Sequence, residues 1–155
     1  MAGRRTLTTR LRSLREADIE PLSAWLPPAA SEAGCERWAA ADALRETVGR
    51  PTTLVSGKPG IESFVSYQLA APQRDAAQIV FLAVTPDRRR LGIGQRTVLA
   101  LERRLAQSAA RCFVLVPARL GLALYFWLRL GYQPLTQQDW PAQQEAGLWM
   151  VRQLD

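Results

Sequence analysis

A mixed α/β domain, with a mostly antiparallel sheet flanked by helices, is predicted by three observations on the sequence. Residues 79–84 (IVFLAV) form a β-branched and aromatic run stopped by Pro86, the pattern of a strand ending in a turn. Beyond it, Val98, Leu101 and Leu105 recur at helical spacing while Arg96, Arg103 and Arg104 fall off that stripe, so residues 94–108 read as a helix with one buried face. Upstream, the runs 52–55 and 61–70 bracket Ser56-Gly57-Lys58-Pro59-Gly60, a hairpin signal, and a turn at 72–75 leads into a strand at 77–84. Three consecutive antiparallel strands thus feed a strand-loop-helix unit.

The 155 residues make one domain, residues 1–155, and a hydrophobic content of 48% suits a single packed core. The net charge is +6 and is unevenly placed. Residues 88–129 hold nine arginines and one acid, Glu102, whereas residues 1–62 hold nine basic and eight acidic groups. Such a basic segment favours an anionic partner. Cys35 and Cys112 are too few for a disulfide framework, and with no histidine in the chain no metal site is expected. The expected setting is a reducing, cytoplasmic one, with no membrane partner, because no apolar run approaches the ~20 residues of a transmembrane helix. The first fifteen residues, rich in arginine and threonine and free of acids, superficially resemble a transit peptide. A strand at 11–14 argues that they belong to the fold instead.

After that strand, Asp18 is a good N-cap for a helix through Trp25, which Pro27 and Pro28 should end, with a loop following to Cys35. Trp38, Ala41, Leu44 and Val48 then predict a helix over 36–48, closed by Gly49 and Pro51. Glu32, Glu36, Asp42 and Glu46 read first as a solvated helix face; attraction of a cationic amine is the alternative. Past the central helix, 112–116 is an apolar strand, most simply parallel to 77–84 through a right-handed crossover. Residues 117–130 are apolar nearly all round and predict a buried helix closed by Gly131; 135–146 is a loop, and 148–154 a final strand.

Gly92 and Gly94 mark the junction between strand and central helix. Glycines there let the backbone approach a ligand, the first unpaired helix N–H groups point outward, and Arg88, Arg89 and Arg90 add full charges. A phosphate is the expected occupant. A dinucleotide-binding loop would need a third glycine where Thr97 stands, and a P-loop would need Gly-Lys, yet the only lysine is Lys58.

Arg89-Arg90-Leu91-Gly92-Ile93-Gly94 resembles the Arg/Gln-x-x-Gly-x-Gly/Ala signature of the GCN5-related N-acetyltransferases, and Val84 with the Pro86-Asp87 turn resembles what precedes it there. Phe126-Trp127-Leu128-Arg129-Leu130-Gly131-Tyr132, with Ala123 before it, is similar to the same family's late helix ending. The resemblance spans about residues 11–154 and implies the family's acyl-coenzyme A N-acyltransferase fold, in which the fourth and fifth strands are parallel and splay apart. It implies acetyl-coenzyme A as cosubstrate, with no metal, held by Leu82, Ala83 and Val84 on the strand, by Arg89, Arg90, Leu91, Gly92, Ile93, Gly94 and Gln95 in the loop, and by Arg119 and Trp127 beyond. The acceptor it implies is a primary amine, on a small molecule or at a protein N-terminus or lysine. Nucleic acid is not an expected partner; a homodimer is compatible with the family.

Acetyl transfer to an amine whose pKa is about 10.4 requires a proton acceptor near neutral pH. The family's strand carboxylate is missing, since residues 78–84 read QIVFLAV; Glu62 and Asp75 are the nearest acids and read as exposed hairpin charges. Its helix tyrosine, four residues before Gly131, is replaced by Trp127, and Leu120 stands where many members have asparagine. Tyr125 is the remaining candidate acid, but two residues turn a helix by about 200°, so buried packing is its expected role. Two readings follow: an N-acetyltransferase working by direct transfer in a ternary complex, or a non-catalytic, regulatory acyl-coenzyme A-binding module.

Overall fold

The computed structural model describes residues 9–57, 60–117, 121–135 and 147–155. Among the described residues, seven strands form one sheet in the order β1-β2-β3-β4-β5-β7-β6. They are β1 (Arg12–Ser13), β2 (Thr53–Ser56), β3 (Ser63–Leu69), β4 (Ala76–Val84), β5 (Arg111–Val116), β6 (Gln133–Pro134) and β7 (Leu148–Gln153). The helices are α1 (Ile19–Ser23), α2 (Leu26–Glu32), α3 (Ala41–Glu46), α4 (Ile93–Leu105) and α5 (Gly121–Arg129). Every neighbouring pair is antiparallel except β4 and β5. The expected hairpin, crossover and mixed sheet are all present.

One irregularity sets up the site. β4 runs in register with β3 up to Ile79 opposite Tyr67 and resumes at Phe81 opposite Ser66, which leaves Val80 as an extra residue. Because strand side chains alternate, an inserted residue reverses the faces beyond it. Ala77 and Ile79 accordingly join the core beneath α4 and α5, while Phe81 and Ala83, of the same parity, join the core beneath α1, α2 and α3. Bulges also increase local twist. Beyond this one, β4 and β5 part company: their parallel ladder ends at Ile79 opposite Val114, although β4 continues to Val84 and β5, held by β7, to Val116.

The first helical region differs from expectation. Glu16–Asp18 form a 3₁₀ turn leading into the short α1. Asp18 accepts a hydrogen bond from the Arg15 amide at 2.8 Å and a forked pair from Arg12 at 2.7 and 2.8 Å, tying β1 to the helix. Pro27 and Pro28 do not end a helix; they lie in the first turn of α2, where a missing N–H costs nothing. α2 therefore occupies residues expected to be loop, and Gly34 closes it. With φ of 75°, Gly34 donates to Ser31 O at 3.1 Å while Cys35 N donates to Ala30 O at 2.8 Å, a Schellman ending. The helix expected over 36–48 is split at Ala40 into a 3₁₀ turn, Glu36–Ala39, and α3.

α4 buries Val98, Leu101 and Leu105 as its periodicity predicts, together with Thr97 and Glu102. The Thr97 hydroxyl reaches Ile93 O at 2.7 Å and Ser63 Oγ at 2.8 Å, and Ser63 is hydrogen-bonded to Ser56, so a buried chain of hydroxyls anchors the start of α4 to β2 and β3. Glu102 is met by Arg152 of β7 at 2.9 Å and by the Tyr132 hydroxyl at 3.4 Å. Burial is the leading cause that raises the Cys112 thiol beside it to about 12 and lifts the Tyr132 phenol. α5 is not the buried helix expected: Trp127 is its buried residue, whereas Leu122 is 86% and Tyr125 63% exposed. The loop expected over 135–146 lies, apart from Leu135, outside the described residues.

Candidate functional site

The gap between β4 and β5 is a cleft of about 610 Å³. A strand directs its main-chain N–H and C=O groups alternately to either side, and from Val80 to Val84 those facing β5 have no strand to meet. Leu82, Ala83 and Val84, expected on this wall, are here, with Val114 and Leu115 opposite. Trp127, which is 6% exposed, closes one end with Phe126; the two rings meet edge to face at 5.0 Å. To the same cleft α2 contributes Ala29, Glu32 and Ala33 at i, i+3 and i+4 spacing, one helix face, followed by Cys35.

Where β4 ends, the cleft runs into a second groove of about 600 Å³; Val84, Arg89, Arg90, Gly94, Leu122 and Phe126 line both. Gly92, Ile93, Gln95 and Tyr125 line the groove, with Arg88 and Arg129. Gly92 takes a left-handed conformation, φ 78°, to start α4. Among the described residues, the main-chain amides of residues 90–95 donate to no main-chain carbonyl. Ile93 is 4% exposed, so its side chain is core and its amide is what the groove sees. Three neighbouring guanidinium groups and a helix start with free amides form an anion cradle. Arg89 Nε also donates to Val84 O at 3.4 Å, tying the loop to the strand.

Of the other expected site residues, Leu91 is 57% exposed and lines neither cavity, and Arg119 lies outside the described residues. The expected buried packing of Tyr125 is corrected by its position. Trp127 carries the buried face of α5, and two positions earlier the ring turns toward solvent and the arginine groove. Asp75 faces Arg111 at 3.4 Å, away from the cleft, and Glu62 does not line it.

Sequence reading missed the α2 wall. A signal was available: a proline pair followed six residues later by glycine marks a helix start and stop. The Cys35 thiol donates to the carbonyl of the extra residue, Val80, at 3.8 Å, and burial, ahead of the charge of Glu36, raises its pKa. It stays a neutral thiol there, a spacer between α2 and β4.

An open strand edge joined end to end with an anion cradle at a helix start defines a site for a long ligand with an amide-bearing arm and a phosphorylated head. The family model described as FR47-like protein matches residues 68–141. No curated protein matches the chain in sequence. Solved structures do match in fold. An acetyltransferase from Thermus thermophilus superimposes with a TM-score of 0.73 at 18% identity, over 96% of this chain and 98% of its own. The PaiA N-acetyltransferase of Thermoplasma acidophilum, in complex with coenzyme A, gives 0.74 at 14% identity, over 95% and 99%. The ribosomal-protein-S18-alanine N-acetyltransferase of Escherichia coli gives 0.66 at 20% identity, over 94% of each chain. The chain shares the fold of these acetyltransferases and is similar to the FR47-like family over residues 68–141.

Proposed function

We propose that the protein is an acetyl-coenzyme A-dependent N-acetyltransferase that passes the acetyl group directly to a primary amine in a ternary complex. One observation carries this reading: the parallel ladder stops at Ile79 and Val114, which leaves an open edge to Val84, and beyond it the amides of residues 90–95 form an anion cradle. A substituent at Gly94 would intrude on this junction, so the bare glycine fits a diphosphate against the backbone. The coenzyme supplies an activated acetyl thioester. Arg89, Arg90 and the loop amides hold its phosphates, and the unpaired groups of β4 orient its arm. Phe126 and Trp127 exclude water from one side. A strand N–H near Val84 stabilises the negative charge that develops on the acyl oxygen. The amine loses its proton to water, since the lining of the cleft offers no histidine and β4 no carboxylate. Positioning two reactants together supplies much of the rate in such a site.

The free thiols of Cys35 and Cys112 suit a reducing compartment, and the reading places the protein in the cytoplasm. Among the described residues, no helix is long and apolar enough to cross a membrane, and no group of three His, Cys, Asp or Glu could hold a metal ion.

Purified protein, acetyl-coenzyme A and a panel of amines test the assignment. Thiol release that depends on the amine is expected. Tight coenzyme binding by calorimetry with no turnover on any amine would instead identify a regulatory binding module.

A further inference from the structure

We infer that Glu32 recognises a second, non-reacting ammonium group of the acceptor, and hence that the acceptor is a small di- or polyamine. This rests on the reading of the cleft as an acetyltransferase site. Glu32 is the one carboxylate that lines the cleft among the described residues, and no salt bridge engages it there. It stands on α2, whereas Arg89 and Arg90 follow the C-terminal end of β4, so the acidic and the basic groups of the cleft come from different elements.

The charge has a chemical consequence. A carboxylate in contact with the reacting ammonium would favour its protonated form, which cannot attack a thioester. Glu32 aids transfer by holding a different cation of the same molecule, which leaves the reacting nitrogen free to lose its proton. The wall suits a methylene spacer: Ala29 and Ala33 flank Glu32 on the same helix face and pack in one apolar cluster with Phe81.

The test compares 1,4-diaminobutane with butylamine, and spermidine with both, in the parent protein and in Glu32→Gln, with acetyl-coenzyme A affinity measured on each. The parent is expected to favour the diamine over the monoamine in kcat/KM by about two- to fivefold, the scale of a solvated ion pair. Glu32→Gln is expected to abolish that preference through KM, leaving kcat within a few-fold and coenzyme affinity unchanged. Equal rates on the mono- and diamine, an unchanged preference in Glu32→Gln, or turnover confined to peptides would overturn the inference and leave the acetyltransferase reading intact. Failure of the parent to bind acetyl-coenzyme A would overturn that reading itself.

Discussion

The ring of Phe126 lies against Gly94: a Cβ built on the glycine would stand 3.2 Å from Cε2 and 3.4 Å from Cζ of the ring. The contact joins the first turn of α4 to α5 where the cleft meets the groove, so the coenzyme path depends on a side chain that is not there.

Gly94→Ala should leave stability nearly unchanged and weaken coenzyme binding. Gly94 is helical without a positive φ, so alanine gains about 1 kcal/mol of helix propensity, offset by the crowding against Phe126. The ring has to move by a few tenths of an ångström at the edge of the site. Calorimetric titration should show a several-fold rise in Kd at a similar Tm. Gly94→Glu or Gly92→Glu, which place a carboxylate in the anion cradle, should abolish binding; an unchanged Kd would mean that the phosphates sit elsewhere.

Gly92→Ala separates conformational from steric cost. Nothing lies within 4 Å of the added Cβ, but φ is 78°. A left-handed alanine costs about 1–2 kcal/mol, and for a chain of this size each kcal/mol lowers Tm by roughly 2–4 °C. Thermal unfolding checks this, and no loss would indicate that the loop relaxes.

Tyr125→Phe should lower turnover no more than a few-fold, since the ring faces the arginine groove rather than the cleft between β4 and β5. A drop of ~100-fold, the scale of a lost general acid, would return Tyr125 to the chemistry.

Glu102 and Asp18 should give opposite pH dependences. Glu102 is raised chiefly by burial, with Arg152 and Tyr132 pulling the other way. Its contribution is full below the unfolded value of about 4.3 and is lost as pH rises through the folded one. Asp18 is lowered chiefly by its hydrogen bonds from Arg12, so its contribution is present above about 3.9 and is lost as pH falls through the folded value. The stability difference between parent and Glu102→Gln should shrink with rising pH, and that between parent and Asp18→Asn should grow. Equal slopes in denaturant titrations would contradict both assignments.

Arg152→Ala should destabilise by about 2 kcal/mol, less than the ~3–5 of a fully buried pair because the Arg152 side chain is 37% exposed. Removing it strands the buried Glu102 carboxylate. Lower pH should partly restore the variant, and urea unfolding at two pH values reads this directly.

Local patterns in the chain carried much of this architecture. The alternation and turns of the hairpin, the stripe Val98, Leu101 and Leu105, and the pair Gly92 and Gly94 each state their structure within a few residues, because periodicity and backbone freedom are local properties. The proline rule misled at Pro27 and Pro28: the same residue ends one helix or begins the next, and only Gly34 downstream distinguishes the two. α5 misled through composition, since an apolar helix at the surface of this domain keeps Leu122 and Tyr125 exposed beside the groove.

The sequence by itself determined that a strand, a basic glycine turn and an amphipathic helix follow one another, and that this junction attracts an anion. Tertiary structure alone decided where Val80 is extra, which face Phe81 and Ala83 take, and that Glu32 reaches the cleft from another helix. An uninterrupted apolar run such as IVFLAV is compatible with either face, so its register is fixed only by pairing with β3. The contact just past α2 with β4 joins residues 45 positions apart, Cys35 and Val80, and no local pattern encodes it.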